Sequence, residues 1–221
     1  MSAFSELSAV ETAFVEKSGR KATYPGERVS TVEVQNVYDL GKIVSLRFIE
    51  WCRQNPRGNI ALPTGRTPEF FIKTLEKYRS GWSNPEVQAE LRSLGLPEQY
   101  LGSFPDTSGL NFFMLDEFFP MLPTHRNSFC KYIKAFYCEP LGIPAENIHT
   151  FDLVEHGVLT TEELQELTSV AVIDLSLLTR AATNAEEESV KDKLTKAQTF
   201  CEKYEEKLKK AGGIGFFLGG I

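Results

Sequence analysis

The turn at residues 63–68 (PTGRTP) contains residue types that bind anions: Thr64, Gly65, Arg66 and Thr67. A glycine turn between a strand and a helix presents backbone N–H groups to a ligand, and glycine permits close approach. The two hydroxyls and the guanidinium add further donors, the last of them charged. The pattern therefore predicts a phosphate cradle. An ordinary capped turn with a solvated arginine accounts for the same residues, because Thr-Gly turns are common.

Two further segments have a pattern that suits a ligand site. Asp116 and Glu117 directly follow a run of aromatic and aliphatic residues that predicts a buried strand. A carboxylate beside apolar walls can act as a general base, with a pKa tuned by burial, or it can simply cap the following loop. Gly219 and Gly220 follow another apolar run and would let backbone approach a ligand, or would form a tight connection.

No segment predicts a metal or cofactor site. The four cysteines lack metal-ligand spacing, and the three histidines do not cluster with them. His125 follows Asp116 in the same loop, and a lone loop histidine is more often structural. Reduced thiols in a cytoplasmic protein are the simplest interpretation of the cysteines.

The net charge and the length of the apolar runs limit the kinds of partner that the protein can bind. A net charge of −6 argues against a nucleic-acid binder, which needs a basic face, but leaves room for a small anionic substrate. No apolar run is long enough to span a membrane, so no membrane partner is expected. The first residues also lack the pattern of a signal peptide.

Strand and helix patterns alternate along the chain, which predicts an α/β fold with a mostly parallel sheet. Residues 1–28 are polar and weakly patterned, and we interpret them as an N-terminal extension. Residues 29–221 then form the N-terminal part of one α/β domain, expected to continue beyond Ile221 because an apolar strand rarely ends a domain uncovered. The predicted strands are residues 29–34, 59–62, 111–116 and 214–218, and the predicted helices include 36–53, 126–137, 159–182 and 193–210.

Four segments in the same order resemble the glucosamine-6-phosphate deaminase family. Residues 62–68 (LPTGRTP) resemble its LPTGxTP turn, and residues 113–118 (FMLDEF) resemble its FNMDEY segment. Residues 141–148 (LGIPAENI) are similar to its IPxENI stretch. Residues 201–208 (CEKYEEKL), followed by 217–221 (FLGGI), match its CxxYEEKI helix and GGVG turn.

This resemblance implies a doubly wound, Rossmann-like sheet and a homo-oligomeric enzyme without a cofactor. The family converts glucosamine 6-phosphate and water to fructose 6-phosphate and ammonia. Asp116 aligns with its proton-transfer carboxylate, which shuttles a proton between C1 and C2. The turn at residues 64–67 would hold the 6-phosphate, and Gly219 and Gly220 would border the sugar, with Glu117 beside them.

The chain also departs from the family pattern. The family continues past its glycine turn into a segment whose histidine opens the sugar ring, so these 221 residues alone are expected to be inactive. Arg66 replaces a usually small residue, and residues 79–109 and 153–195 are longer than usual. Two alternatives stay open: a 6-phosphogluconolactonase, which shares the architecture, and a non-catalytic sugar-phosphate-binding regulatory module.

Overall fold

The computed structural model describes residues 7–18 and 31–219, which alternate between helix and strand. The α-helices are α1 (Ala9–Ser18), α2 (Val37–Gln54), α3 (Glu69–Ser80), α4 (Pro85–Ser93), α5 (Phe129–Ile133), α6 (Glu139–Leu141), α7 (Thr161–Ser169) and α8 (Ala185–Lys210). A π-helix, Lys134–Cys138, joins α5 to α6. The strands are β1 (Asn59–Ala61), β2 (Asn111–Phe113), β3 (Ile148–His149) and β4 (Phe216–Phe217).

The four strands form one parallel sheet in the order β3-β2-β1-β4. Ile60 of β1 pairs with Phe112 on one side and with Phe216 on the other. The α/β class and the parallel sheet that the sequence predicts are thus confirmed. β3 was missed, because two residues after a short turn give no alternating pattern to detect.

Helices cover both faces of β2. Successive side chains of a strand point to opposite faces, so Phe112 and Phe113 meet different helices. The Phe112 ring stacks on Tyr137 of the π-helix at a centroid distance of 5.9 Å. The Phe113 ring meets the edge of Tyr204, on α8, at 6.0 Å. The sheet is consequently covered by helices on both faces at β2, whereas Phe217 of β4 is 63% exposed.

The segment that leads into β4 is held in place by Asn59, the first residue of β1. Gly212 and Gly213 have positive φ angles of 88° and 81°, which end α8 and turn the chain towards the sheet. The Asn59 amide donates hydrogen bonds to the carbonyl oxygens of Ala211 and Gly213, both at 2.8 Å. The amide of Gly215 then donates to Asn59 O at 2.9 Å. These bonds fix β4 against β1 across a separation of about 150 residues in sequence.

Two predicted helix boundaries were wrong. The helix expected over residues 159–182 ends at Ser169, because the following Val170, Val172 and Ile173 are β-branched and favour extended backbone. The helix expected over residues 193–210 begins earlier, at Ala185, where the Asn184 side chain caps α8 by accepting a hydrogen bond from the amide of Glu187.

The N-terminal part of the chain differs from the expectation as well. Residues 31–34 form no strand, and residues 29 and 30 of that predicted strand lie outside the described residues. Within the predicted extension, α1 inserts Val10 and Phe14 into the main core. No helix among residues 7–18 and 31–219 combines the length and the apolar character needed to cross a bilayer.

Candidate functional site

All the segments selected from the sequence follow strands of the parallel sheet. The turn at 63–68 follows β1, Asp116 follows β2, and Gly219 follows β4. Since the strands are parallel, their carboxyl ends share one edge. The chain moves to one side from β1 through β2 to β3, and β4 then pairs on the other side of β1. Such a reversal of strand order opens a crevice, which is where open α/β sheets bind ligands.

The turn after β1 is held by two tyrosines and presents unpaired amides. Tyr137 donates its hydroxyl hydrogen bond to Pro63 O at 2.7 Å, and Tyr132 donates to Gly65 O at 2.9 Å. Gly65 has a φ of 88°, a backbone conformation that residues with a side chain rarely adopt, so this position favours glycine. Within the described part of the chain, the amides of Gly65 and Arg66 donate to no acceptor. The carbonyls are therefore occupied while two N–H groups remain for an anion.

A cavity of about 570 Å³ opens beside this turn at the switch point. Arg66 and Thr67 line it from the turn, and Gly219 lines it from the end of β4. Its other wall is apolar and comes from α2 and α3, including Leu40 and Phe70. Its volume lies within the usual range for small-molecule sites.

The helix after this turn begins later than the sequence predicts. Threonine is a favoured N-cap residue and proline a favoured first helical residue, so the sequence predicts Thr67 and Pro68 in these two positions. The helix α3 instead begins at Glu69, and Pro68 occupies the cap position without a side-chain hydrogen bond. The positive charge of Arg66 contributes to lowering the pKa of Glu69, after the larger effect of Lys73.

Glu117 has a structural role in the loop after β2. Its Oε2 accepts hydrogen bonds from the Ser128 hydroxyl and the Cys130 amide, both at 3.0 Å, and Ser128 is the N-cap of α5. A carboxylate at a helix N-terminus is stabilised by the free amides and the helix dipole. The loop that follows Asp116 is thereby fixed to α5, and this supports the capping interpretation for Glu117.

Asp116 has a different environment from its neighbour. The strand predicted to reach it ends at Phe113, because only one further bond, from the Met114 amide to His149 O, continues the pairing. Asp116 is exposed, and no described residue donates a hydrogen bond to it. Partial burial, and then the negative charge of Glu117, raise the pKa of the Asp116 carboxyl above its ordinary value. Of the two adjacent carboxylates in this loop, Asp116 is the one that remains available for chemistry.

The predicted site residues fall into two groups. Arg66, Thr67 and Gly219 line the switch-point cavity, whereas Asp116 and Glu117 line a second cavity of about 330 Å³ between the β2 loop and α8. Thr64 and Gly65 belong to the turn but line neither cavity. Gly220 lies outside the described residues.

Sequence reasoning missed the anchoring role of three tyrosines. Besides Tyr132 and Tyr137, Tyr204 places its hydroxyl 2.8 Å from Met114 O, two residues before Asp116, and 3.1 Å from His149 O. Tyr137 and Tyr204 lie on the apolar faces of helices predicted from the sequence, and nothing in the pattern shows that their hydroxyls, or that of Tyr132, reach strand ends.

The histidines do not join Asp116. His125 accepts the amide of Asn127 at 3.2 Å and so shapes its own turn. His149 is buried in β3, where its Nδ1 lies 2.9 Å from Lys207 Nζ and its ring packs on Phe113. Burial first, and then the Lys207 charge, lower the pKa of His149 to about 4.

One described cluster has the spacing of metal ligands. Cys130 Sγ and one carboxylate oxygen each from Asp152 and Glu155 lie within 4.8 Å of one another. Lys134 Nζ already pairs with Glu155 at 2.9 Å, and Asp152 Oδ1 accepts the amides of Val154 and Glu155. Burial raises the pKa of Cys130 to about 11. A metal would have to displace both the lysine and the thiol proton.

Comparison with protein-family models found no match to this chain, and comparison with curated proteins found none either.

Proposed function

We propose that this chain supplies the sugar-phosphate site of an isomerase-deaminase that converts glucosamine 6-phosphate and water to fructose 6-phosphate and ammonia. The observation that carries the proposal is the cavity at the switch point between β1 and β4, which Arg66, Thr67 and Gly219 line. We also infer a doubly wound sheet. Its support is the strand order together with helices on both faces of β2.

The turn after β1 suits the phosphate of the substrate. The unpaired amides of Gly65 and Arg66 offer two donors, and the exposed guanidinium of Arg66 adds a charged one. A dianionic phosphate needs several hydrogen-bond donors, whereas an uncharged sugar has no such charge to satisfy. The apolar wall from α2 and α3 limits the competing water.

Asp116 is the proposed base for the proton transfer. The conversion of an aldose to a ketose needs one group that takes a proton from C2 and returns it to C1. A carboxylate without a hydrogen-bond partner, with a raised pKa, can alternate between the two protonation states that this step requires. The four free cysteines fit the cytosolic compartment that we assign to this reaction.

Binding measurements test the phosphate part of the proposal. Isothermal titration calorimetry of the chain with glucosamine 6-phosphate and with glucosamine should show binding that depends on the phosphate. The variant Arg66→Gln should bind glucosamine 6-phosphate about ten-fold more weakly, because a charge-assisted hydrogen bond contributes roughly 1.5 kcal/mol.

The matched control is Arg79→Gln, which removes an exposed guanidinium from the far end of α3 and should leave the affinity unchanged. Equal binding of the sugar with and without phosphate, or an equal loss in both variants, would exclude the turn as the phosphate site. Binding of 6-phosphogluconate in preference to glucosamine 6-phosphate would favour the lactonase instead.

A further inference from the structure

Apart from Asp116 and Glu117, the second cavity is built from parts of the chain to which the sequence assigns no role in the sugar-phosphate site. The loop after β2 contributes Phe118 and Phe119, the segment after β3 contributes Leu178, and α8 contributes Ala197 and Cys201. Its volume of about 330 Å³ is at the lower end of the range for small-molecule sites. The long segment at residues 153–195 contributes Leu153, Leu178 and Leu194 to its lining.

Aromatic surface is exposed at this cavity. The Phe118 side chain is 61% exposed and Phe119 is 37% exposed, although both belong to a loop that Glu117 fixes to α5. Phe118 contacts Phe129 on one side, with a centroid distance of 5.0 Å. Exposed aromatic rings beside a concave apolar surface are typical of a binding site rather than of a solvated loop.

The charge of the cavity has one sign. Asp116 and Glu117 are the charged residues among those that line it, and both are acidic. Glu117 already accepts from Ser128 and Cys130, so Asp116 is the acceptor that remains. In the described ranges, no cation lies close enough to Asp116 to shift the pKa of its carboxyl. The charge that does shift this pKa is the negative charge of Glu117.

We propose that this cavity binds a small organic cation, with an aromatic or aliphatic body against Phe118, Phe119 and Leu178 and an ammonium group paired with Asp116. The cation supplies the missing counter-charge, and its body covers the exposed rings. Aromatic rings also attract ammonium groups through their π faces, which favours a cation over a neutral molecule of the same shape. Asp116 acts here as a counter-ion, so the site exists whether or not Asp116 is also a base.

Three probes of one shape test the charge requirement. 1-Naphthylmethylamine is cationic at neutral pH, 1-naphthalenemethanol is neutral and 1-naphthylacetate is anionic. Titration calorimetry with the chain should show the amine binding about ten-fold more tightly than the alcohol, and the acetate binding least. The variant Asp116→Asn should remove the advantage of the amine and leave the alcohol unchanged. Equal affinities for the three probes would overturn the proposal.

Filling the cavity tests its location. Ala197→Phe places a ring in the cavity and should abolish binding of both amine and alcohol. Thr199→Phe, an equally large change at an exposed position of α8 that does not line the cavity, should leave binding intact. Unaltered binding in a folded Ala197→Phe variant would contradict the assignment.

The unmodified protein offers a test that no folding defect can obscure. Cys201 lines the cavity and is the exposed cysteine, whereas Cys52, Cys130 and Cys138 are buried. The bound amine should slow alkylation of Cys201 by iodoacetamide several-fold, and glucosamine should not. Alkylation at the same rate with and without saturating amine would refute binding at this cavity. These outcomes do not depend on Arg66, so they are separate from those of the phosphate test.

Discussion

Lowering the pH should destabilise the fold through His149, within a defined window. The pKa of this side chain is lowered from 6.5 to about 4, first by burial and then by the Lys207 ammonium 2.9 Å away. His156 adds a smaller effect of the same sign. Well above pH 6.5 the ring is neutral in both the folded and the unfolded chain. Below that value, His149 takes up a proton in the unfolded chain but stays neutral in the folded chain, so stability falls with falling pH.

The size of this effect follows from the two pKa values. At about pH 5 the proton uptake of the unfolded chain corresponds to a loss of about 2 kcal/mol, at roughly 1.4 kcal/mol per pH unit of difference. Solvent that reaches the edge of the ring screens part of this, which brings the expected loss to between about 1 and 2 kcal/mol. The loss is complete once the pH falls below about 4, where the folded ring also protonates.

Urea unfolding of the wild type and of His149→Asn, at about pH 7 and about pH 5, measures the contribution of His149 to the pH dependence of stability. The Asn side-chain oxygen can accept from Lys207 as Nδ1 does, but it does not titrate. Between these two pH values, the free energy of unfolding of the variant should fall by about 1 to 2 kcal/mol less than that of the wild type. Lys207→Gln is the matched control and should reduce the dependence without removing it, because burial is the larger cause. An identical pH dependence in wild type and His149→Asn would refute the reasoning, as would an NMR titration of His149 with an ordinary midpoint.

Three further predictions concern packing and anchoring. Gly41→Ala should destabilise the protein by about 1–2 kcal/mol, because an added Cβ would lie 2.8 Å from the backbone of Phe70 and force α2 away from α3; Gly102→Ala, with open space around it, is the control in thermal unfolding. Tyr204→Phe should cost about 1 kcal/mol in urea unfolding through loss of its hydrogen bond to the strand end. Gly65→Ala should cost about 1 kcal/mol for its positive φ alone, since no atom lies near the added Cβ. A stability unchanged by Gly41→Ala, or a Tyr204→Phe variant as stable as wild type, would contradict these contacts.

The edge of the sheet on which the candidate site lies could be predicted because short apolar runs end at polar turns. The runs before Thr64, Asp116 and Gly219 each predicted a buried strand, and parallel strands bring their carboxyl ends to one edge. The boundaries were less predictable, since β2 ends at Phe113 while the apolar pattern continues to Leu115. The hydrophobic pattern predicts which residues are buried. The end of a strand depends instead on where hydrogen bonding to the neighbouring strand stops.

The separation of the site into two cavities could not be predicted. Asp116 and Glu117 are adjacent and chemically alike, yet one caps α5 and the other remains unpaired. That difference depends on Ser128 and Cys130, eleven and thirteen residues away, and on the way the long segment after β3 packs against α8. Contacts of this kind are set by tertiary packing and leave no periodic signal in the sequence.

The measurement that tests the proposed reaction most directly is ammonia release from glucosamine 6-phosphate by the full-length natural protein. We predict ammonia and fructose 6-phosphate in equal amounts, with a rate at least about a hundred-fold lower in Asp116→Asn, because general acid–base catalysis contributes factors of this size. Asp106→Asn, an exposed carboxylate that precedes β2 at the opposite edge of the sheet, should retain the full rate. Full activity in Asp116→Asn, or no release by a folded protein that binds the substrate, would contradict the proposed deaminase.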